Sequence, residues 1–229
     1  MTSLQKWGKS IRTTIPVMAG YLVLGAGFGI LLRTRGYGLG WALAMSAFIY
    51  AGSMQYVAID LLTGGASLLT TAVTTLLVNA RHLFYGISML ERYRAAGKYA
   101  PYLIFSLTDE TYSLVAARED LTGAECFRIS LLDQLYWVLG TALGSLAGAY
   151  LDFNTTGIDF SLTALFLTVF TEQWLETKDH APALIGLGVS IVCRLLFGAD
   201  SFLLPTMGGM LCCLLVLDAR RTKKGGESV

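Results

Sequence analysis

Charge is scarce in this 229-residue chain: Asp, Glu, Lys and Arg make up 14% of it, against 54% hydrophobic residues. Soluble globular domains carry nearer a quarter of charged residues, so that class fits poorly. The acidic and basic residues almost cancel, leaving a formal net charge of +1. That leaves no electrostatic footprint for a nucleic-acid partner. His82 and His180 are the only histidines, and neither has a metal-ligand neighbour in the sequence. The cysteines, Cys126, Cys193, Cys212 and Cys213, lack C-x-x-C spacing, which predicts free thiols and no metal site. No phosphate-cradling glycine motif, zinc-binding histidine pair or nucleophile elbow occurs, so no enzyme and no cofactor is expected.

What the chain has instead is apolar runs. Eight of them cover residues 15–32, 41–62, 67–90, 101–117, 128–150, 159–175, 181–198 and 200–218, with the charges gathered between them. Lys6, Lys9 and Arg12 before the first run mimic a secretory signal. The run Ile15 to Leu32 is too long for that and has no A-x-A-like cleavage site, so it reads as a first membrane helix. The predicted fold is all-α: a polytopic helical protein of the lipid bilayer. Its divisions are a basic cytoplasmic start (1–14), a first membrane repeat (15–118), a connecting loop (119–127), a second repeat (128–218) and a basic cytoplasmic tail (219–229).

The repeat rests on three matches in the same order, roughly 115 residues apart. Tyr21 to Gly25 (YLVLG) resembles Tyr136 to Gly140 (YWVLG), Gln55-Tyr56 resembles Gln173-Trp174, and Arg81 to Phe84 resembles Arg194 to Phe197. The basic start, the Arg92–Lys98 loop and the basic tail each prefer the cytoplasm. Placing all three there requires one run in each interval not to cross fully. Three crossings per half then make the two four-segment repeats inverted, with broken helices meeting at mid-membrane; Arg33 and Arg35 count against the scheme. Gly25/Gly29 and Gly140/Gly144/Gly148 have small-xxx-small spacing, which lets helices pack closely.

The polar centre lies in the third run, Ser67 to Leu90, where Asn79, Arg81 and His82 interrupt apolar sequence. A charge at bilayer depth costs about 2.5–3.5 kcal/mol on insertion scales, so it needs a partner. Asp109 and Glu110 in the fourth run are the candidates; being adjacent, they project about 100° apart and do not share one partner. Arg81 is either a cation for a substrate carboxylate or half of a structural salt bridge. His82 is either a titratable relay or a hydrogen-bonded structural residue. The acid not paired with Arg81 is available for protonation, unless both belong to a structural cluster. In the second run Gly52, Ser53 and Gln55 mark either a helix break offering backbone groups to a ligand, or an unbroken helix bonding to its neighbours. Asp133 and Gln134 are expected near the mouth of the fifth run, Glu172 and Gln173 at a solvated end of the sixth, and a kink or break at Pro205 and Gly208-Gly209 in the last.

At FIYAGSMQYVAIDLL, LLVNARHLFYGISM and FSLTDETY the chain resembles the AzlC family, the large subunit of bacterial branched-chain amino-acid exporters. The resemblance runs from about Ile15 to Leu217. It implies a subunit of a secondary transporter in the bacterial cytoplasmic (inner) membrane, exporting leucine, isoleucine, valine and methionine with a small AzlD-type membrane subunit. It also implies energy from the proton gradient. The family's motif positions fall on Gly52, Ser53, Gln55, Asn79 and Arg81, expected to bind substrate, and on His82, Asp109 and Glu110, expected to couple protons. A membrane scaffold or pore-forming subunit, in which the same charges only hold the bundle together, is the competing expectation; transport in proteoliposomes separates the two.

Overall fold

The computed structural model describes residues 2–116, 118, 120–150, 157, 160, 163–164, 167, 170–171, 174–175 and 177–226. Among them there is no strand. The helices are α1 (Ser3–Thr34), α2 (Leu39–Phe48), α3 (Gly52–Thr63), α4 (Leu68–Val78), α5 (Arg81–Ala95), α6 (Ala100–Phe105), α7 (Asp109–Ala116), α8 (Gly123–Tyr150), α9 (Ala181–Ser201) and α10 (Leu203–Gly226). They fall into two compact units, Met1–Leu162 and Thr163–Val229.

The first unit is built on α1 and α8, of 32 and 28 residues. At 1.5 Å per residue they are about 48 and 42 Å long, more than a bilayer's hydrocarbon core. They lie side by side and run the same way. Lys9 Nζ meets Glu125 Oε1 at 3.4 Å near one end, and the Tyr21 and Trp137 rings stand 5.4 Å apart further along. Beyond that, glycines let the backbones touch. A Cβ on Gly25 would sit 2.7 Å from the Trp137 carbonyl and one on Gly140 2.7 Å from that of Leu22. One on Gly144 would collide with the backbone of Ala26. The small-residue faces of the two helices are therefore spent on each other. Tyr21–Gly25 and Tyr136–Gly140, the segments that match in sequence, face one another in parallel, so the inverted relation expected of the two halves does not hold for this pair.

The three apolar runs between α1 and α8 are each broken into two short helices. Broken helices were expected; the structure puts a break in all three of these runs. α2 descends from the far end of α1 until Gln134 Nε2 donates to the Ala47 carbonyl at 3.0 Å. The chain then turns at Ile49–Ala51. Tyr50 takes φ 44°, a left-handed value rare for a bulky residue, and its ring is buried. α3 climbs back: Gly52 faces Trp137, and the Tyr56 hydroxyl donates to the Leu24 carbonyl at 2.7 Å. Gln55 Nε2 donates to Ser46 Oγ at 3.1 Å across this α2–α3 hairpin.

α6 and α7 form a second hairpin from the opposite end. The Tyr99 and Phe127 rings lie 5.1 Å apart at its base, and Tyr102 donates to Gln134 Oε1 at 2.6 Å higher up. α7 returns to where Arg92 donates to the Val115 and Arg118 carbonyls and Arg118 Nη1 donates to Thr13 Oγ1 at 2.8 Å. Its turn is written locally. Ser106 Oγ bonds back to the Tyr102 carbonyl at 2.7 Å, and Thr108 Oγ1 accepts from the Thr111 amide at 3.2 Å, capping α7. Asp109 and Glu110 occupy the first turn of α7, where the helix dipole favours acids. Between the hairpins α4 and α5 make one broken traverse. Asn79 ends α4 by donating its side-chain amide to the Thr75 carbonyl at 3.0 Å.

Each hairpin has its own core. Phe28, Leu32, Met45, Tyr56 and Trp137 bury the α2–α3 hairpin against α1 and α8. Met89, Leu103, Leu107, Val115 and Ile129 bury the other against α5 and α8.

In the second unit α9 and α10 pack through Gly209, where a Cβ would lie 2.9 Å from Val189. The break falls at Gly198 (φ 74°), not at Pro205. Pro205 sits in the first turn of α10, where a missing N–H costs no helical bond. Arg194 lies over the Phe202 ring, 5.2 Å from its centroid. Glu172 and Gln173 lie outside the described residues. Among the described helices, α1 over Leu4–Thr34 and α9 over Ala181–Gly198 are long and apolar enough to cross a membrane. The four cysteines are unpaired.

Candidate functional site

The two hairpin tips and the α4–α5 break come together at one level of the first unit. The Tyr50 and Phe105 rings, one from each tip, are 6.5 Å apart. Beside them opens a cavity of about 900 Å³. Ile49, Tyr50 and Ala51 line it from one hairpin, Ile104, Phe105 and Leu107 from the other, and Asn79, Ala80 and His82 from the central break. Leu76, Leu83, Ile87 and Leu90 add an apolar wall, and Thr75, Tyr93 and Arg94 bring polar groups to the same lining. Three interrupted helices thus end at the cavity. Helix ends carry unsatisfied N–H groups on one side of a break and carbonyls on the other, which suits a ligand with both signs of charge.

Arg81 ties the junction together. Nε donates to Asp109 Oδ1 at 2.8 Å, Nη2 to Ser53 Oγ at 3.2 Å and Nη1 to the Val78 carbonyl at 3.2 Å. It thus joins the starts of α3 and α7 to the end of α4. Asp109 is the acid paired with Arg81, and Glu110 is not: it accepts from Tyr21 at 2.6 Å. His82 lies at the cavity with Nδ1 3.2 Å from the Asn79 carbonyl.

Ser53 and Gln55 do not line the cavity. Ser53 is buried and bonded to Arg81. Gln55 is 0% exposed, with both ends of its amide engaged by Trp137 Nε1 (3.0 Å) and Ser46 Oγ. Gly52 faces the Trp137 ring, 3.1 Å from where its Cβ would be. Of the residues expected to bind substrate, the structure brings only Asn79 to the cavity lining; Arg81 lies between Ala80 and His82, which line it, and is bonded to Asp109, Ser53 and Val78. Gly52, Ser53 and Gln55 follow the break at Ile49–Ala51 and, outside the cavity lining, are held by packing and hydrogen bonds.

Sequence reasoning missed a second polar chain on the other side of the α6–α7 tip. Tyr21 OH lies 2.7 Å from Thr108 Oγ1, which is 3.1 Å from Thr111 Oγ1, which donates to Asp133 Oδ2 at 2.9 Å. Asp133, expected near a mouth, is 0% exposed, and its Oδ1 has no hydrogen-bond partner. The available signal was Ser130, Asp133, Trp137 and Thr141 at helical spacing, a polar stripe on one face of α8.

The family model described as "AzlC protein" matches residues 16–151, which contain all of α2 to α8 and most of α1. The chain is 46% identical to the branched-chain amino acid transport protein AzlC of Bacillus subtilis, covering 89% of this chain and 82% of that one. It is 42% identical to an uncharacterized membrane protein of Helicobacter pylori (strain 26695), over 89% of this chain and 91% of that one. Inner membrane protein YgaZ of Escherichia coli is 26% identical over 90% of this chain and 87% of its own. No solved structure matches.

Proposed function

Given that the chain belongs to the AzlC family, we propose that it exports branched-chain amino acids across a bacterial inner membrane, coupled to protons. One observation carries the reading: an apolar cavity sits where three broken helices end. Leucine, isoleucine or valine would place its hydrocarbon among Leu76, Leu83 and Ile87. Its ammonium and carboxylate would meet the helix ends at Ile49–Ala51, Asn79–Ala80 and Leu107, with Arg81 close by.

In a bilayer, α1, the α4–α5 pair and α8 cross, whereas the α2–α3 and α6–α7 hairpins enter from opposite faces and turn back at mid-depth. Broken backbone is tolerated at that depth only where it is buried in protein or lines a cavity. Lys6, Lys9, Arg92, Arg118 and Arg128 gather at one end of the bundle, and positive charge marks the cytoplasmic face. A small AzlD-type subunit completes the exporter; the α1 and α8 glycines are not its docking surface, being already in contact with each other.

Gly86 gives the direct test. It lines the cavity, and a Cβ there would meet nothing within 4 Å. Gly86→Phe therefore fills the cavity without displacing the fold. Leucine efflux from cells, or uptake by everted vesicles, should fall by at least about tenfold, with expression and thermal stability kept. Gly20→Phe, also unobstructed but away from the cavity, is the control. Wild-type export by Gly86→Phe would place the substrate elsewhere.

A further inference from the structure

The polar chain from Tyr21 to Asp133 has a hydrogen count that does not close. It runs through Glu110 Oε2, Tyr21 OH, Thr108 Oγ1, Thr111 Oγ1 and Asp133 Oδ2, with contacts of 2.6, 2.7, 3.1 and 2.9 Å. Three hydroxyls supply one hydrogen each, and an ionised carboxylate only accepts. With both carboxylates ionised, one of these four contacts is two oxygens facing each other without a hydrogen. Adding a single proton at either end fills every contact. If Glu110 holds it, each group donates toward Asp133; if Asp133 holds it, the whole chain points the other way. Thr108 takes part in both patterns with its remaining acceptor site used by the Thr111 amide.

The surroundings of Asp133 agree. It is 0% exposed, receives one donor and leaves Oδ1 unpartnered, so a permanent anion there is poorly solvated and a share of a proton relieves it. Among the described residues no Lys, Arg or His forms an ion pair with Glu110 or Asp133; the nearby Asp109 is engaged by Arg81. Tyr50, from the α2–α3 tip, and Tyr102, from α6, are the other titratable groups facing Asp133.

We propose that Glu110 and Asp133 share one proton, which passes between them along the Tyr21, Thr108 and Thr111 hydroxyls. Each hydroxyl accepts a proton on one side and releases its own on the other, so Glu110 becomes a carboxylate as Asp133 becomes an acid and nothing else changes. Its use in transport rests on the proton-coupled reading above; the shared proton itself does not.

The test is the infrared band of protonated carboxyl groups in the purified full chain at neutral pH, located by its shift in D2O. An amide supplies the missing hydrogen, so Glu110→Gln leaves Asp133 ionised and Asp133→Asn leaves Glu110 ionised. The band of the pair should fall by at least about tenfold in each single variant, since coupled acids titrate as a pair. Survival of the band in either variant, or its absence from the wild type, overturns the proposal. Where an amide variant fails to fold, Thr111→Val should shift the wild-type band and Thr111→Ser should leave it in place; no shift with valine overturns the proposal equally. If the bands behave as expected but a proton gradient does not drive leucine transport by the wild type, the pair stands and the transport reading falls.

Discussion

Asp109 and Glu110 are neighbours of the same chemistry, and the structure gives them opposite jobs. Asp109→Asn removes the charge opposite Arg81, a contact of 2.8 Å between side chains 32% and 39% exposed. Leaving one member of a fully buried pair alone costs about 3–5 kcal/mol, whereas an exposed pair contributes about 0–1. The observed exposure places this pair between those limits, and asparagine keeps an oxygen for Arg81 Nε. We therefore expect a loss of about 1–2 kcal/mol, which lowers Tm by about 2–8 °C in a chain of this size. Glu110→Gln leaves no cation unpaired, and its amide hydrogen stands in for the shared proton toward Tyr21, so it should cost less than Asp109→Asn. Thermal unfolding followed by fluorescence, with the lipid held constant, reads both. A cycle with Arg81→Gln completes the assay: Asp109→Asn should cost little once Arg81 is neutral. Equal Tm values for the two single variants, or a cycle with no coupling, would refute the assignment of Arg81 to Asp109.

Three further outcomes follow from the packing and the caps. Gly144→Leu forces α1 and α8 apart at the Ala26 backbone and should cost at least about 1–3 kcal/mol, seen as a lowered Tm or lost expression; Gly20→Leu should change neither. Trp137→Phe strands the Gln55 carbonyl in a dry core and should cost about 1–3 kcal/mol by thermal unfolding. At the start of α8, bonds from the Thr122 amide and hydroxyl, then from Lys9, hold the Glu125 carboxyl down to about 2 from an ordinary 4.5. A depressed folded value adds stability above about pH 4.5 and loses it as pH falls toward 2. Glu125→Gln should therefore flatten the acid limb of a Tm–pH profile across that window.

Composition and run length were enough to read an all-helical chain with a polar centre, because apolar length and misplaced charge are local properties. The glycine spacing was legible as close packing, but not its partner: only the fold sets Gly140 against Leu22. The breaks were partly legible. Asn79 interrupts α4 with its own side chain, and Thr108 caps α7 ahead of two acids, both local signals. The break at Tyr50 has no comparable local cause. Its left-handed backbone is held by burial between α8 and the opposite tip, so the sequence marked an interruption over Tyr50–Tyr56 without fixing whether or where the helix breaks. The inverted relation does not hold for α1 and α8 for a related reason. A run broken in the middle can return to the end it came from, and run length alone does not distinguish returning from crossing.

The same two tips also join the cavity to the carboxyl chain. Leu107 lines the cavity and Thr108, the next residue, carries a link of the chain. Tyr50 lines the cavity from the other hairpin and also faces Asp133 and Tyr21. On the function proposed above, a substrate seated in the cavity would press on both tips at once. Moving Thr108 by about 1 Å directly away from either Tyr21 or Thr111 would take that one contact, now 2.7 or 3.1 Å, beyond hydrogen-bond range and cut the path between Glu110 and Asp133. On that proposal the proton would stay on the side where it was when substrate bound, which is the condition coupling needs. Arg81 acts differently: it pins α3, α4 and α7 through groups outside the chain, so a change in protonation leaves that tie intact. Separating the tie from the proton path allows the junction to open and close without losing its only described ion pair.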